Sequence, residues 1–99
     1  MRALVVATPA HPIAPEALPE ILQEALGWSE RHAEELEEFG LFPGGGGFGI
    51  VNVADEAAFN QLMLEMPFAP FSRHEVHPFV DGRAGLRQSL EAMSARAAH

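Results

Sequence analysis

The chain has 99 residues, a formal net charge of −8 at neutral pH, six basic side chains that are all arginine, and no cysteine. This composition excludes disulfides, cysteine-ligated zinc and Schiff-base chemistry on lysine, and it disfavours nucleic acid and membrane surfaces as partners, because both need a basic patch. No apolar run approaches the ~20 residues of a membrane span. We therefore expect one soluble, cytoplasmic domain over residues 1–99, whose small core favours a partner subunit.

The N-terminal elements are predicted to be a buried strand and an amphipathic helix. Ala3–Thr8 is apolar and β-branched and is followed by Pro9, which predicts a strand. After a proline-rich loop, a helical period predicts a helix over residues 15–39, with Pro19 in its first turn and Gly40 just past its end. Its apolar stripe is expected to contain Leu18, Leu22, Ala25, Ser29, His32 and Leu36, with Ile21 and Trp28 on the flank.

Two compositional runs follow, and each has two interpretations. Glu34, Glu35, Glu37 and Glu38 crowd the end of the predicted helix, where the macrodipole favours cations. They form either a solvated face or a docking surface for an arginine-bearing partner. Gly44–Gly47 form either a hairpin tip or a phosphate-binding loop; no Gly-Lys-Ser/Thr motif follows and no helix begins there, which favours the hairpin.

The second half of the chain repeats the alternation of strand and helix. Residues 48–54 predict a strand, and Asp55 predicts the N-cap of a helix that ends at Pro67. Its stripe of Phe59, Leu62, Met63 and Met66 is interpreted as core. Residues 71–79 predict a last strand, and residues 84–97 predict a C-terminal helix whose apolar stripe is Leu86, Leu90 and Met93.

This order predicts an α+β fold, a ferredoxin-like β-α-β-β-α-β sandwich with a core over residues 1–80 and an extra C-terminal helix. Helices cover only one face of such a sheet. The other face has nothing within the chain to cover it, so we expect the protein to pair with itself as a homodimer or a larger ring.

Histidines are the candidate catalytic residues, because proton transfer at neutral pH needs a group that titrates near 7. His32 lies on the helical stripe and His74 on the last strand, and the two could share one pocket. Asn52 could donate to a developing oxyanion, and Trp28 and Arg73 are candidate ligand contacts. Each of these residues could equally be structural, Arg73 as part of an ion pair. We expect no metal, since His74 and His77 point to opposite faces of a strand.

Residues 49–79 carry a recognisable pattern: an apolar strand, an acidic cap, a helix that ends at Met66-Pro67-Phe68, and a strand that ends in Glu75-Val76-His77-Pro78. This pattern resembles the C-terminal half of muconolactone delta-isomerases. The resemblance implies a dimeric α+β barrel, often assembled into larger rings, and a cofactor-free proton shift in an unsaturated lactone bearing a carboxylate. It also implies a longer second strand with basic and aromatic residues, where this chain has only Leu41–Gly47.

Two classes of function remain open. The first is a cofactor-independent isomerase that acts on a small lactone or unsaturated carboxylate, with His32 or His74 as proton carrier. The second is a non-catalytic ligand-binding or oligomeric accessory protein of the same fold. A dry pocket with facing polar groups would favour the enzyme, and a pocket filled by aromatic side chains would favour the accessory protein.

Overall fold

The structure is a computed structural model that describes residues 1–97. Its helices and strands are β1 (Arg2–Pro9), α1 (Leu18–Arg31), β2 (Leu36–Leu41), β3 (Gly47–Asn52), α2 (Glu56–Leu64), β4 (Ser72–Pro78) and α3 (Gly82–Ala97), with a 3₁₀ turn at Ala69–Phe71. The strands form a sheet in the order β2-β3-β1-β4, and each neighbouring pair is antiparallel. This order is the ferredoxin-like arrangement, so the predicted α+β fold is confirmed.

The core lies between one face of the sheet and the helices α1 and α2. We call this face the helix side. Alternation along β1 directs Ala3 and Val5 to it, and both are buried. The predicted N-cap of α2 is also confirmed, because the Asp55 carboxylate accepts the backbone N–H of Ala58 at 2.8 Å. The buried hydrophobic residues that meet in this core are Ala3, Val5, Trp28, Val51, Val53, Phe59 and Leu62.

The first helix is shorter than predicted, and the prediction of a helix through residue 39 is wrong. The helix ends at Arg31, and Leu36–Leu41 forms β2 instead. Gly40 therefore lies within a strand and caps no helix. The acidic run from Glu34 to Glu38 lies in the connecting turn and in β2, so the expected conflict with a helix macrodipole does not arise. The second strand of the fold is thus present, six residues long.

A bulge explains why the sequence did not predict this strand. The pairing of β2 with β3 shifts register between Leu36 and Glu38, so one extra residue interrupts the alternation of apolar and polar positions. The extra residue places Leu36 and Phe39 three positions apart, which is a spacing typical of one face of a helix. The backbone N–H of Leu36 donates to the His32 carbonyl at 3.0 Å, which turns the chain between α1 and β2.

The inward face of α1 also differs from the predicted stripe. Trp28, expected on the flank, is the buried residue of this helix, whereas Leu18, Leu22 and Leu26 are between 38% and 59% exposed. Because α1 ends at Arg31, Trp28 lies in its last turns, where its indole contacts α2. The leucines of the N-terminal half are left at the surface.

Glycines form the tip of the β2–β3 hairpin, as predicted. The N–H of Phe42 donates to the Gly46 carbonyl at 2.9 Å, and the N–H of Gly45 donates to the Phe42 carbonyl at 2.9 Å. Gly46 has a φ of +80°, which L side chains rarely adopt. A Cβ atom there would also collide with the carbonyl oxygen of Ala7 on β1, whereas one at Gly44 would meet nothing within 4 Å.

We expect Gly46→Ala to lower the free energy of unfolding by more than ~1 kcal/mol, because left-handed strain adds to the clash with β1. Gly44→Ala is the matched control, since its φ is not positive and its side chain enters open space. Its effect should stay within about 0.5 kcal/mol. Urea unfolding measures both variants, and equal stabilities would contradict this account of the turn.

Two apolar surfaces have no cover within residues 1–97. On the sheet face opposite the helices, which we call the open face, Leu4, Val6, Phe48 and Ile50 are half-buried. The second surface is α3, which has no buried residue and whose stripe of Leu86, Leu90 and Met93 is two-thirds exposed. The molecule measures 65 × 25 × 20 Å. Among the described helices, none is long and apolar enough to cross a membrane.

Candidate functional site

A cavity of about 270 Å³ lies between the helix side of the sheet and the two helices that cover it. Small residues on the strands make room for it: Ala7 on β1 pairs with Gly47 on β3, and Val5 pairs with Gly49. Because glycine has no side chain, the floor of the cavity is backbone and small apolar groups. Its walls come from Trp28, Leu36, Met63, Met66, Phe68 and Phe71.

His74 brings an unpaired polar atom into this apolar space. On β4 it pairs with Ala7, so its side chain points to the helix side and lines the cavity. Its Nε2 atom is buried and has no hydrogen-bond partner. Burial lowers the pKa of His74 below its ordinary value, because the charged imidazolium loses more hydration than the neutral ring. The side chain is therefore a neutral imidazole at pH 7.

Trp28 is the second predicted site residue in the cavity. It lies in the last turns of α1, and its indole N–H donates to the backbone carbonyl of Leu62 on α2 at 3.3 Å. This bond satisfies the polar atom of the side chain and fixes the orientation of the ring. The indole can thus offer its apolar surface to a ligand without leaving an N–H unpaired.

The cavity is open toward the β2 edge of the sheet. Phe39 and Leu41 line it there, yet 55% and 78% of their surfaces remain exposed. Ser29 on α1 also lines the cavity, but its hydroxyl donates to the Leu26 carbonyl at 2.7 Å. His74 lies on β4, at the opposite edge of the sheet from β2, so a molecule that enters here must cross the cavity to reach it.

His32 does not share this cavity. It lies at the C-terminal end of α1 in a separate groove, where Nδ1 is 2.7 Å from Glu35 and Nε2 is 3.2 Å from Glu65. Its ring centroid is 5.6 Å from that of Trp28, which lines the cavity. The structure thus does not bring His32 and His74 into one pocket. Both imidazole nitrogens of His32 face carboxylates, one in the turn before β2 and one just past the end of α2.

Asn52 and Arg73 lie outside the cavity as well. The side-chain amide of Asn52 donates to Glu37 at 3.2 Å, in a cluster where Arg2 forms an ion pair with Glu37 at 2.7 Å. The hydrogen bond from Arg2 lowers the pKa of Glu37. Arg73 pairs with Thr8 across β4 and β1 and points to the open face. Neither residue lines the cavity that contains His74.

The cavity walls that α2 and the following turn supply were not predicted from the sequence. Met63 and Met66 were interpreted as core, and both are only partly buried because they line the cavity. Phe68 and Phe71 flank the turn into β4. A run of flexible thioethers followed by aromatic residues is a signal for an adaptable binding surface, and it could have indicated this site.

Burial of His74 makes stability depend on pH. The unfolded chain binds a proton at this imidazole near its ordinary pKa of 6.5, whereas the folded chain does so only at lower pH. The free energy of unfolding therefore falls as the pH drops from the pKa of the unfolded chain through the lower pKa of the folded chain. We expect His74→Gln to flatten the decline of Tm between about pH 7 and 5. The control His77→Gln, on the exposed open face, should keep the decline; an unchanged slope in His74→Gln would contradict the burial effect.

No protein-family model matches the chain, and no curated protein matches it in sequence. Solved structures do match. A muconolactone isomerase superimposes with a TM-score of 0.72 at 16% identity, over 82% of this chain and 90% of the isomerase. A second match is the 5-chloro-2-hydroxyhydroquinone dehydrochlorinase of Burkholderia phenoliruptrix AC1100, in complex with 2,5-dihydroxybenzoquinone. It superimposes with a TM-score of 0.65 at 16% identity, over 85% of this chain and 98% of the dehydrochlorinase. The chain therefore has the fold of muconolactone isomerase, as the pattern over residues 49–79 predicted.

Proposed function

From this fold and from the cavity beneath its helices, we propose that the chain is a cofactor-independent isomerase that moves a proton within a small lactone or unsaturated carboxylate. The buried, unpaired Nε2 of His74 in an apolar cavity is the observation that carries the proposal. Leaving a polar atom unpaired in such a place costs about 1–3 kcal/mol. A ligand that places an acidic C–H or another donor against the Nε2 lone pair offsets this cost, which gives the atom a use.

The proposed step is a proton shift between two ring carbons. In the tautomer that carries its proton on Nδ1, the Nε2 lone pair of His74 takes a proton from the carbon next to the lactone carbonyl. The C–H electron pair delocalises into the carbonyl and the adjacent double bond, which forms a dienolate. The imidazolium then returns the proton to the distant end of the dienolate, so the double bond moves and no atom is gained or lost. Because burial lowers the pKa of His74, the base form is available at neutral pH.

The fold neighbours support this class of ligand. One is an isomerase named for a lactone, and the other is a dehydrochlorinase in complex with a small quinone ring. Both names describe small unsaturated rings. We propose that the cavity of this chain holds a ring of the same kind, with Trp28 against its face and His74 at its edge.

Proton exchange with solvent tests the proposal directly. The protein is incubated in D2O with 5-methyl-2(3H)-furanone, an unsaturated lactone, and the ring protons are followed by NMR. We expect deuterium to enter the ring and the double bond to move faster than without protein. If the protein accelerates exchange in neither this lactone nor its 5-carboxymethyl analogue, the result counts against an isomerase.

One observation favours a non-catalytic alternative. Asn52, the predicted donor to the oxyanion, is bonded to Glu37 and does not line the cavity. A ligand-binding protein needs no such donor. In that case the same lactones would bind without any exchange of ring protons, so the NMR experiment separates the two functions.

We also propose that the protein associates with itself. The open face and the α3 stripe both expose apolar side chains that water disfavours. The charge of α3 supports a second copy as the partner, because α3 carries Arg83, Arg87 and Arg96 against Glu91, whereas the chain as a whole is strongly acidic. A homodimer or larger ring, located in the cytoplasm, remains the prediction for the native protein.

A further inference from the structure

We infer that the cavity selects an uncharged unsaturated lactone and rejects its carboxylate-bearing analogue. The inference rests on the proposed function, because it names the ligand class of the same site. It follows from the volume of the cavity, from the chemistry of its walls, and from the positions of the charged residues around it.

The volume and walls fit one flat ring. An apolar cavity of about 150 Å³ holds benzene, so about 270 Å³ accommodates a single ring with a short substituent. Trp28, Phe68 and Phe71 supply aromatic surfaces, and Met63 and Met66 supply polarisable sulfur that adapts to a ring edge. An unsaturated five-membered lactone matches these walls in size and flatness.

The positive charges of the protein lie elsewhere. Arg2 is paired with Glu37, Arg73 points to the open face, and Arg31 lies in the last turn of α1. The remaining arginines, Arg83, Arg87 and Arg96, are on α3. None of these six residues lines the cavity. The titratable side chains that do line it are His11 and His74. A carboxylate that entered would lose hydration and meet no permanent positive charge in return.

Among residues 1–97, Nε2 of His74 is the one side-chain polar atom that is buried and unpaired, and it matches a neutral ligand. His74 is an uncharged imidazole, and in the base form that the proposed step needs, its Nε2 carries a lone pair and no proton. This lone pair can face the acidic C–H beside the lactone carbonyl, but it can donate no hydrogen bond to a carboxylate oxygen. A carboxylate has two oxygens and about four acceptor sites, most of which would stay unsatisfied against Met63, Met66 and Phe71.

A matched set of three ligands tests the inference. They are 5-methyl-2(3H)-furanone, the same ring with carboxymethyl in place of methyl, and the methyl ester of that acid, which keeps the size and removes the charge. Trp28 is the single tryptophan and lines the cavity, so its fluorescence reports binding in the full-length protein. At pH 7.5 to 8 we expect the methyl lactone and the ester to bind at least ~10-fold more tightly than the acid.

Two variants locate the binding. Ala25→Leu on α1 enlarges a residue that lines the cavity and should abolish the fluorescence change for all three ligands. Ala57→Leu on α2 makes the same change at an exposed residue outside the cavity and should leave binding intact. Thermal unfolding of both variants verifies that they fold. Equal binding by the two variants would overturn the assignment of the cavity.

The outcomes separate this inference from the proposed function. Tighter binding of the acid overturns the inference, and isomerisation of the acid would then leave the isomerase proposal standing. Preferential binding of the neutral ligands without exchange of ring protons upholds the inference and overturns the isomerase. Binding of none of the three overturns both.

Discussion

Replacing His74 by alanine is expected to slow isomerisation of the lactone by about 10²- to 10⁴-fold, the usual effect of removing a proton carrier. The folded state should tolerate the change. The ring forms no hydrogen bond through Nε2, so its loss leaves no partner unsatisfied. Circular dichroism and the mass in solution should therefore match those of the unmodified protein.

Two further variants make this result specific. His77→Ala, on the open face of the same strand, removes an imidazole that lies outside the cavity and should leave the rate unchanged. His74→Gln keeps a polar group in the cavity but cannot carry a proton, so it should be as slow as His74→Ala while still binding the lactone. A rate in His74→Gln near that of the unmodified protein would exclude His74 as the proton carrier.

The double substitution Leu86→Gln and Leu90→Gln on α3 is expected to weaken self-association by about 100-fold or more. Each leucine that becomes fully buried contributes about 1.5–3 kcal/mol, and about 1.4 kcal/mol corresponds to tenfold in the dissociation constant. Both residues are two-thirds exposed in the single chain, so they add little to its own stability. The monomer should therefore remain folded.

Sedimentation at several protein concentrations measures this effect. The control Ala84→Gln and Ala95→Gln adds the same side chain to the opposite side of α3, where no apolar stripe is present. It should sediment like the unmodified protein. An unmodified protein that is monomeric at micromolar concentration, or a leucine variant that associates normally, would contradict the proposed role of α3.

Local signals in the sequence were sufficient for most of the fold. β1 is an apolar run that ends at a proline, and Asp55 caps α2 with a hydrogen bond that its position predicts. β2 could not be predicted, because the bulge after Leu36 breaks the alternation that identifies a strand. The prediction of the helix boundary failed because Leu36 and Phe39, three residues apart, fit a helical period although both lie in β2.

The candidate site was predictable in part. The alternation along β4 placed His74 and His77 on opposite faces of the sheet, because that period depends only on the strand itself. Which of the two faces the helices cover came from the structure, which turns His74 to the helix side. The pairing of His32 with His74 depended on how far α1 extends, and a helix that ends at Arg31 leaves His32 between Glu35 and Glu65 instead. The hydrophobic periodicity of one helix or strand shows which of its residues face inward, but it does not show which residues of another element they contact.

The position of a bound ligand decides whether the cavity is the binding site, and a crystal structure of the protein with the methyl ester of the lactone acid would show it. We predict the ring inside the cavity, against Trp28, with an atom of the lactone within about 3.2 Å of His74 Nε2. The ring carbons that exchange protons should lie on that same edge. A ligand bound in the groove beside His32, or on the open face, with the cavity under α1 and α2 empty, would contradict the account.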